Sequence, residues 1–249
     1  MYINANLMKA KILFFLLVTS SLVFSQELED NQKTRANEVG LEVLGLIDGQ
    51  ALITYERSFG KHWSGLIGAG PIAEEGLVNI SGIDREQLKT GDINYSGYKA
   101  LIEGRYYINE FINQRAIGFY VGLYAKFSGY NSDLVGTYID SEGGNYNFLF
   151  ETELNVRSLG LMVGYKLPLS KRFAIDFLIA GPGAGNYNLS FQNKSDPLPD
   201  EFFEDLNEAL ENFNIFDLID GDFDFNRNKR KSAFDTVSFR YAVSLKFNF

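Results

Sequence analysis

Apolar and polar residues alternate along much of this chain, and the alternation is cleanest at its end. Counting back from Phe249, the positions Phe247, Leu245, Val243, Tyr241, Phe239 and Val237 are apolar, while Asn248, Lys246, Ser244, Ala242, Arg240 and Ser238 are polar or small. Successive side chains on a strand point to opposite faces, so residues 234–249 predict a strand with one apolar and one polar face. Seven earlier stretches read similarly. Residues 37–46 set Val39, Leu41 and Val43 against Glu38, Gly40 and Glu42, and residues 51–59 set Ile53, Tyr55 and Phe59 against Thr54, Glu56 and Ser58. Residues 63–71 are glycine-rich and their facing is ambiguous; residues 93–108 set Tyr98, Ile102, Tyr106 and Ile108 against Lys99, Glu103 and Arg105. Residues 116–130 send Ile117, Phe119, Val121, Leu123 and Phe127 one way and Tyr120, Tyr124 and Lys126 the other. In 148–167 the apolar face is Leu159 to Leu167 in steps of two, and in 173–187 it is Phe173, Ile175, Phe177 and Ile179, with Asp176 opposite. The run Gly181-Pro182-Gly183-Ala184-Gly185 predicts a bend or bulge, because proline cannot donate to a ladder.

The connections alternate in length. Asp48-Gly49 reads as a tight turn. Gly60-Lys61, 109–115 and 168–172 are short, whereas 72–92, 131–147 and 190–233 are long and polar. Within the longest, Phe202, Leu206, Leu210 and Phe213 recur at helical spacing, and Asp200 and Glu201 favour the start of a helix over 199–213.

Composition narrows the class. Aromatic residues make up 15%, with Tyr 14, Phe 22 and a single Trp, and Gly is 24. Residues 1–25 read as a cleaved secretory signal: Lys9 and Lys11 precede an apolar run over 12–24 that is too short for a membrane anchor and ends at Ser25. Met8 is an alternative start. Residues 26–36 form a polar leader. The absence of cysteine excludes lipoprotein attachment, disulfides and thiol catalysis, and a net charge of −9 argues against nucleic acid as a partner.

These features predict an all-β fold: a single eight-stranded antiparallel up-and-down transmembrane β-barrel over residues 37–249, with a short helix in the fourth extracellular loop, 190–233. Short turns then lie on the periplasmic side, and Trp63 sits in the interfacial belt. A soluble lipocalin-like carrier explains the outward apolar faces poorly.

Residues 234–249 resemble the closing strand of bacterial outer-membrane barrels. That likeness implies that Tyr241, Val243, Leu245, Phe247 and Phe249 form the signal read by the barrel-assembly machinery, and that the protein lies in the outer membrane among lipid and lipopolysaccharide. Tyr55-Glu56-Arg57-Ser58-Phe59-Gly60-Lys61-His62-Trp63-Ser64-Gly65 resembles a hairpin of small OmpA/OmpX-like barrels. Gly164-Tyr165-Lys166 through Ser170-Lys171-Arg172-Phe173-Ala174-Ile175-Asp176 resembles a later hairpin of a barrel family of unknown function (DUF3575-like). Some eight-stranded outer-membrane barrels are lipid-modifying enzymes that use a histidine with a serine, but the one histidine here, His62, falls at a periplasmic turn.

The predicted lumen carries Glu42, Glu56, Lys99, Glu103, Arg105, Lys126, Asp176, Arg240 and Lys246. An eight-stranded barrel is only wide enough for side chains to fill, so these charges are expected to pair as a structural plug, with a narrow gated ion path as the alternative. No enzyme and no cofactor are expected. Glu74-Glu75 reads as solvated charge. Asp220, Asp222 and Asp224 space like the start of a calcium loop, but Phe225 stands where glycine is needed and Lys231 where glutamate is needed. Arg227, Lys229, Arg230 and Lys231 either meet lipopolysaccharide phosphates or pair with those acids. The helix either caps the mouth or binds a surface partner.

Overall fold

The computed structural model describes residues 35–74, 81–108, 116–211 and 225–249. The signal segment, the turn over 109–115, Glu75, Phe213 and the Asp220, Asp222 and Asp224 candidate all lie outside the described residues. The strands are β1 (Asn37–Glu42), β2 (Ile53–Phe59), β3 (Trp63–Ile72), β4 (Leu88–Thr90), β5 (Tyr95–Ile108), β6 (Gly118–Ile139), β7 (Asn145–Pro168), β8 (Phe173–Asn193) and β9 (Lys231–Asn248), with one helix, α1 (Asp200–Glu211).

Eight strands hydrogen-bond antiparallel in the closed order β1-β2-β3-β5-β6-β7-β8-β9, and β9 returns to β1 through Glu38↔Asn248 to Glu42↔Ser244. The short β4 pairs with β6, through Leu88↔Tyr138, and stands outside that closed order. Turn chemistry holds the hairpins. Gly60 takes φ 75° after β2, and the Ser170 hydroxyl accepts the amides of Arg172 and Phe173 between β7 and β8. Asp140 accepts the amides of Glu142 and Gly144 between β6 and β7.

Several sequence expectations need correction. The first strand stops at Glu42 and runs into a 3-10 turn, Gly45–Asp48. The expected loop over 131–147 is mostly strand: β6 and β7 stay paired from Gly118↔Lys166 to Ile139↔Asn145. The expected loop over 72–92 contains β4, and the loop over 190–233 is shortened by β8 and β9. The GPGAG run lies beside a register shift, between Leu178 and Gly181 on β8. The extra residue keeps Leu178 and Gly181 both buried while Ile179 faces out.

The strands have two regimes along their length. Near the short turns the outer face is apolar: Leu159, Leu161, Tyr165 and Leu167 on β7 are exposed, while Lys166 is buried. Beyond about Arg157 the faces invert. Leu134 and Tyr138 on β6, Phe148 and Phe150 on β7 and Phe191 on β8 turn inward, and Phe202, Leu206 and Ala209 of α1 pack against them. Phe202 lies between Phe148 (5.1 Å), Phe150 (5.6 Å) and Tyr138 (5.2 Å). The helix thus has its apolar face consumed within the chain. Burying such a side chain stabilises by roughly 1.5–3 kcal/mol, enough to hold β6–β8 as a tall wall above the ring.

Candidate functional site: the charged interior of the ring

Alternation on β5 puts Glu103, Arg105 and Tyr107 on one inward face. The Arg105 guanidinium is the hub. Its Nε donates to Glu103 Oε2 at 2.7 Å, and Nη1 reaches Asp176 Oδ2 of β8 at 2.6 Å and Glu56 Oε2 of β2 at 3.3 Å. Its carbon lies 4.6 Å from the centre of the Tyr120 ring, a cation–π contact. Arginine suits this place because its planar fork serves several carboxylates at once.

A second cation, Lys166 of β7, donates to Glu38 of β1 at 2.7 Å and to Glu56 at 2.9 Å. Lys246 of β9 donates to Thr54 Oγ1 at 2.9 Å and stands 3.8 Å from Asp176. Its path runs beside Gly40, where an added Cβ would meet Lys246 Cδ at 2.5 Å. Toward the mouth, Arg240 pairs with Glu42 and, at 2.6 Å, with Glu103, while Lys99 reaches Glu42 and Gln50 at 3.4 Å each. Hydroxyls complete the acceptors: Ser64 (2.6 Å) and Tyr107 (2.9 Å) donate to Glu56, and Tyr120 donates to Asp176 at 2.9 Å. Each of these carboxylates is engaged by a cation or a hydroxyl, so the arrangement is a clamp that ties β1, β2, β5, β7, β8 and β9 together.

All nine lumen residues named from the sequence point inward, and eight of them join this network. Lys126 faces inward and has no ion pair among the described residues. Sequence reasoning left out Glu38 and Lys166, although parity marks both: Glu38 shares its face with Glu42, and Lys166 sits between outward Tyr165 and Leu167.

Tyr241 and Leu245 are exposed on the outer face of β9, and Phe249, one residue past its end, is exposed too. Leu245 lies between Leu41 and Ile175, and Val243 sits opposite Phe177. Phe247 packs its ring 5.2 Å from Phe173. His62 stacks on Tyr106 at 5.5 Å; its Nδ1 lies 2.9 Å from the Tyr107 carbonyl oxygen, which can only accept, so Nδ1 carries the proton. Trp63 meets Tyr106 edge-on at 4.9 Å. Arg227 is held by Asp200 and the Leu198 carbonyl, while the acids expected to pair with the basic run lie outside the described residues. Glu74 is exposed. Among the described residues no group of three acidic, histidine or cysteine side chains is placed to hold a metal ion.

Around the β6–β7 hairpin, Asp140 and Tyr138 are electrostatically tuned. The Gly144 amide, then the Tyr146 hydroxyl and the Glu142 amide, hold the Asp140 carboxyl below its ordinary range. Burial, then the hydrogen bond to Asp205, pushes the Tyr138 hydroxyl up. An open depression of about 800 Å³ crosses β5 to β8, walled by Ile102, Ala125, Phe127, Leu159 and Ala184. Those side chains face outward, so it is a dent in the outer surface.

No curated protein and no solved structure matches the chain. Residues 78–194, a little under half of it, match the profile of a family described as "Protein of unknown function (DUF3575)", a stretch that takes in β4 and the ring strands β5 to β8.

Proposed function

We propose that the ring is an eight-stranded transmembrane β-barrel of the small OmpA/OmpX-like kind, seated in a bacterial outer membrane and non-enzymatic. In this reading a charged plug fills its lumen, and its long loops and tall β6–β8 wall serve envelope structure or surface contact. One observation carries the reading: the ring is inside out. Charged groups such as Glu56, Glu103, Arg105 and Lys166 are buried, while Ile53 (60% exposed), Ile67 (57%), Ile102 (58%), Leu123 (58%), Leu161 (64%), Ile179 (59%) and Tyr241 (66%) form an exposed apolar belt. Monomeric soluble proteins rarely expose continuous apolar surface beyond a few hundred Å².

The belt's height supports lipid. It runs from Leu159 to Leu167 on β7 and from Val237 to Phe247 on β9, close to the roughly 9–11 residues a tilted strand needs to cross the hydrocarbon. It ends abruptly at Glu153, Asn155, Asn186, Asn188 and Asp235, which hydrogen-bond among themselves. Arg57 interrupts it on β2 one outward step from the Gly60 turn, where a long side chain reaches the interface. The partners are then outer-leaflet lipid and lipopolysaccharide, and the assembly machinery during insertion; nucleic acid is not among them. The ion pairs that cross the lumen favour the plug over the narrow channel.

The test is gel mobility of the detergent-extracted membrane fraction with and without boiling, followed by conductance in planar bilayers. Heat-sensitive fast migration without conductance is the expected result. Release in soluble form without a mobility shift overturns the membrane reading, and steady conductance overturns the plug.

A further inference from the structure

The interior charges do not balance. Among the described residues Glu38, Glu42, Glu56, Glu103 and Asp176 face Lys99, Arg105, Lys126, Lys166, Arg240 and Lys246, and Lys126 is the cation left over. Each other cation has a carboxylate within 4 Å. The like charges acting on Lys126 are Lys99 and Arg240, and the opposite one is Glu42, whose oxygens already serve Lys99 and Arg240.

Two donors in the interior lack an acceptor among the described residues. Ser128, the next inward residue on β6 and the register partner of Lys99, is 1% exposed, and its hydroxyl has no hydrogen-bond partner among the described residues. Arg240 Nε is likewise buried without an acceptor. A buried hydroxyl without a partner and an uncompensated ammonium are both costly. We infer that the interior binds a small inorganic anion between the ammonium groups of Lys126 and Lys99 and the Ser128 hydroxyl, on the mouth side of the plug. A metal cation is disfavoured there, because two ammonium groups repel it and Glu42 is already committed. An anion neutralises the interior and accepts from Ser128.

The test uses the purified, folded, full chain in zwitterionic detergent. Its thermal midpoint is measured at constant ionic strength in sodium gluconate, sodium chloride and sodium phosphate. Chloride or phosphate should raise the midpoint saturably over gluconate, by linkage to the folded state. Lys126→Met should abolish the increment, Ser128→Ala should weaken binding about tenfold or more, and the exposed-turn variant Lys171→Met should keep it. Equal midpoints in the three salts, or an increment that survives in Lys126→Met, overturns the inference. Should Lys126→Met fail to fold, chloride-35 line broadening on the wild-type protein decides: saturable broadening upholds the site and its absence overturns it. The site lies inside the ring whatever surrounds it, so its failure leaves the membrane reading standing.

Discussion

Lys166 on β7 and Glu38 on β1 meet 2.7 Å apart inside the ring, although 128 positions separate them in the chain. Both are buried, and Lys166 also holds Glu56. Breaking a buried pair from one side strands a charge, at a cost of roughly 3–5 kcal/mol. Lys166→Met should therefore lower the urea midpoint sharply, and Glu38→Gln in that background should restore part of the loss. Equal stability of Lys166→Met and wild type contradicts the clamp.

Leu161 is exposed on the outer face of β7 at 64%. Arginine on the lipid face of a barrel costs roughly 2–4 kcal/mol at the bilayer midplane, whereas a surface substitution in water stays within about 0.5 kcal/mol. Leu161→Arg should reduce folding stability in vesicles by the larger amount, measured by urea unfolding from lipid.

Gly164 is where the Tyr120 ring crosses the interior. A Cβ there would lie 2.3 Å from Tyr120 Cζ and Oη, so alanine pushes the ring off Asp176, its 2.9 Å acceptor. Gly164→Ala should lose roughly 1–3 kcal/mol, the usual range for overpacking. Pairing it with Tyr120→Leu should recover part of that in a double-mutant cycle.

Phe202 ties α1 to the tall wall. Phe202→Ala removes contacts to Tyr138, Phe148 and Phe150, and should cost roughly 3–5 kcal/mol in that local core. Hydrogen exchange should quicken in α1 and the far ends of β6–β8 while amides near the short turns keep their protection. Uniform quickening would mean that wall and ring unfold as one unit.

Asp140 gives the β6–β7 hairpin a pH dependence. Its folded carboxyl titrates below the unfolded one, so its contribution is present above the ordinary carboxylate range, roughly pH 4, and is lost as pH falls through the folded value. Exchange of the Gly144 amide should rise on acidification, and Asp140→Asn should flatten that rise.

Alternation reveals the ring strands other than the glycine-rich β3, the inward facing of Glu103, Arg105 and Asp176, and, at helical spacing, the helix around Phe202, because strand and helix periods depend only on local backbone geometry. It fails beyond Arg157. There the apolar face turns inward, so a search for outward apolar residues reads the strand ends over 131–139 and 145–147 as loop. Only the tertiary structure decides which charges meet. Lys166 reaches Glu38 because ring closure brings β7 opposite β1, and Lys126 is left without a carboxylate because Lys99 and Arg240 already occupy Glu42. Pairing depends on register and on side-chain reach across the interior, and neither is carried by the period of a single strand.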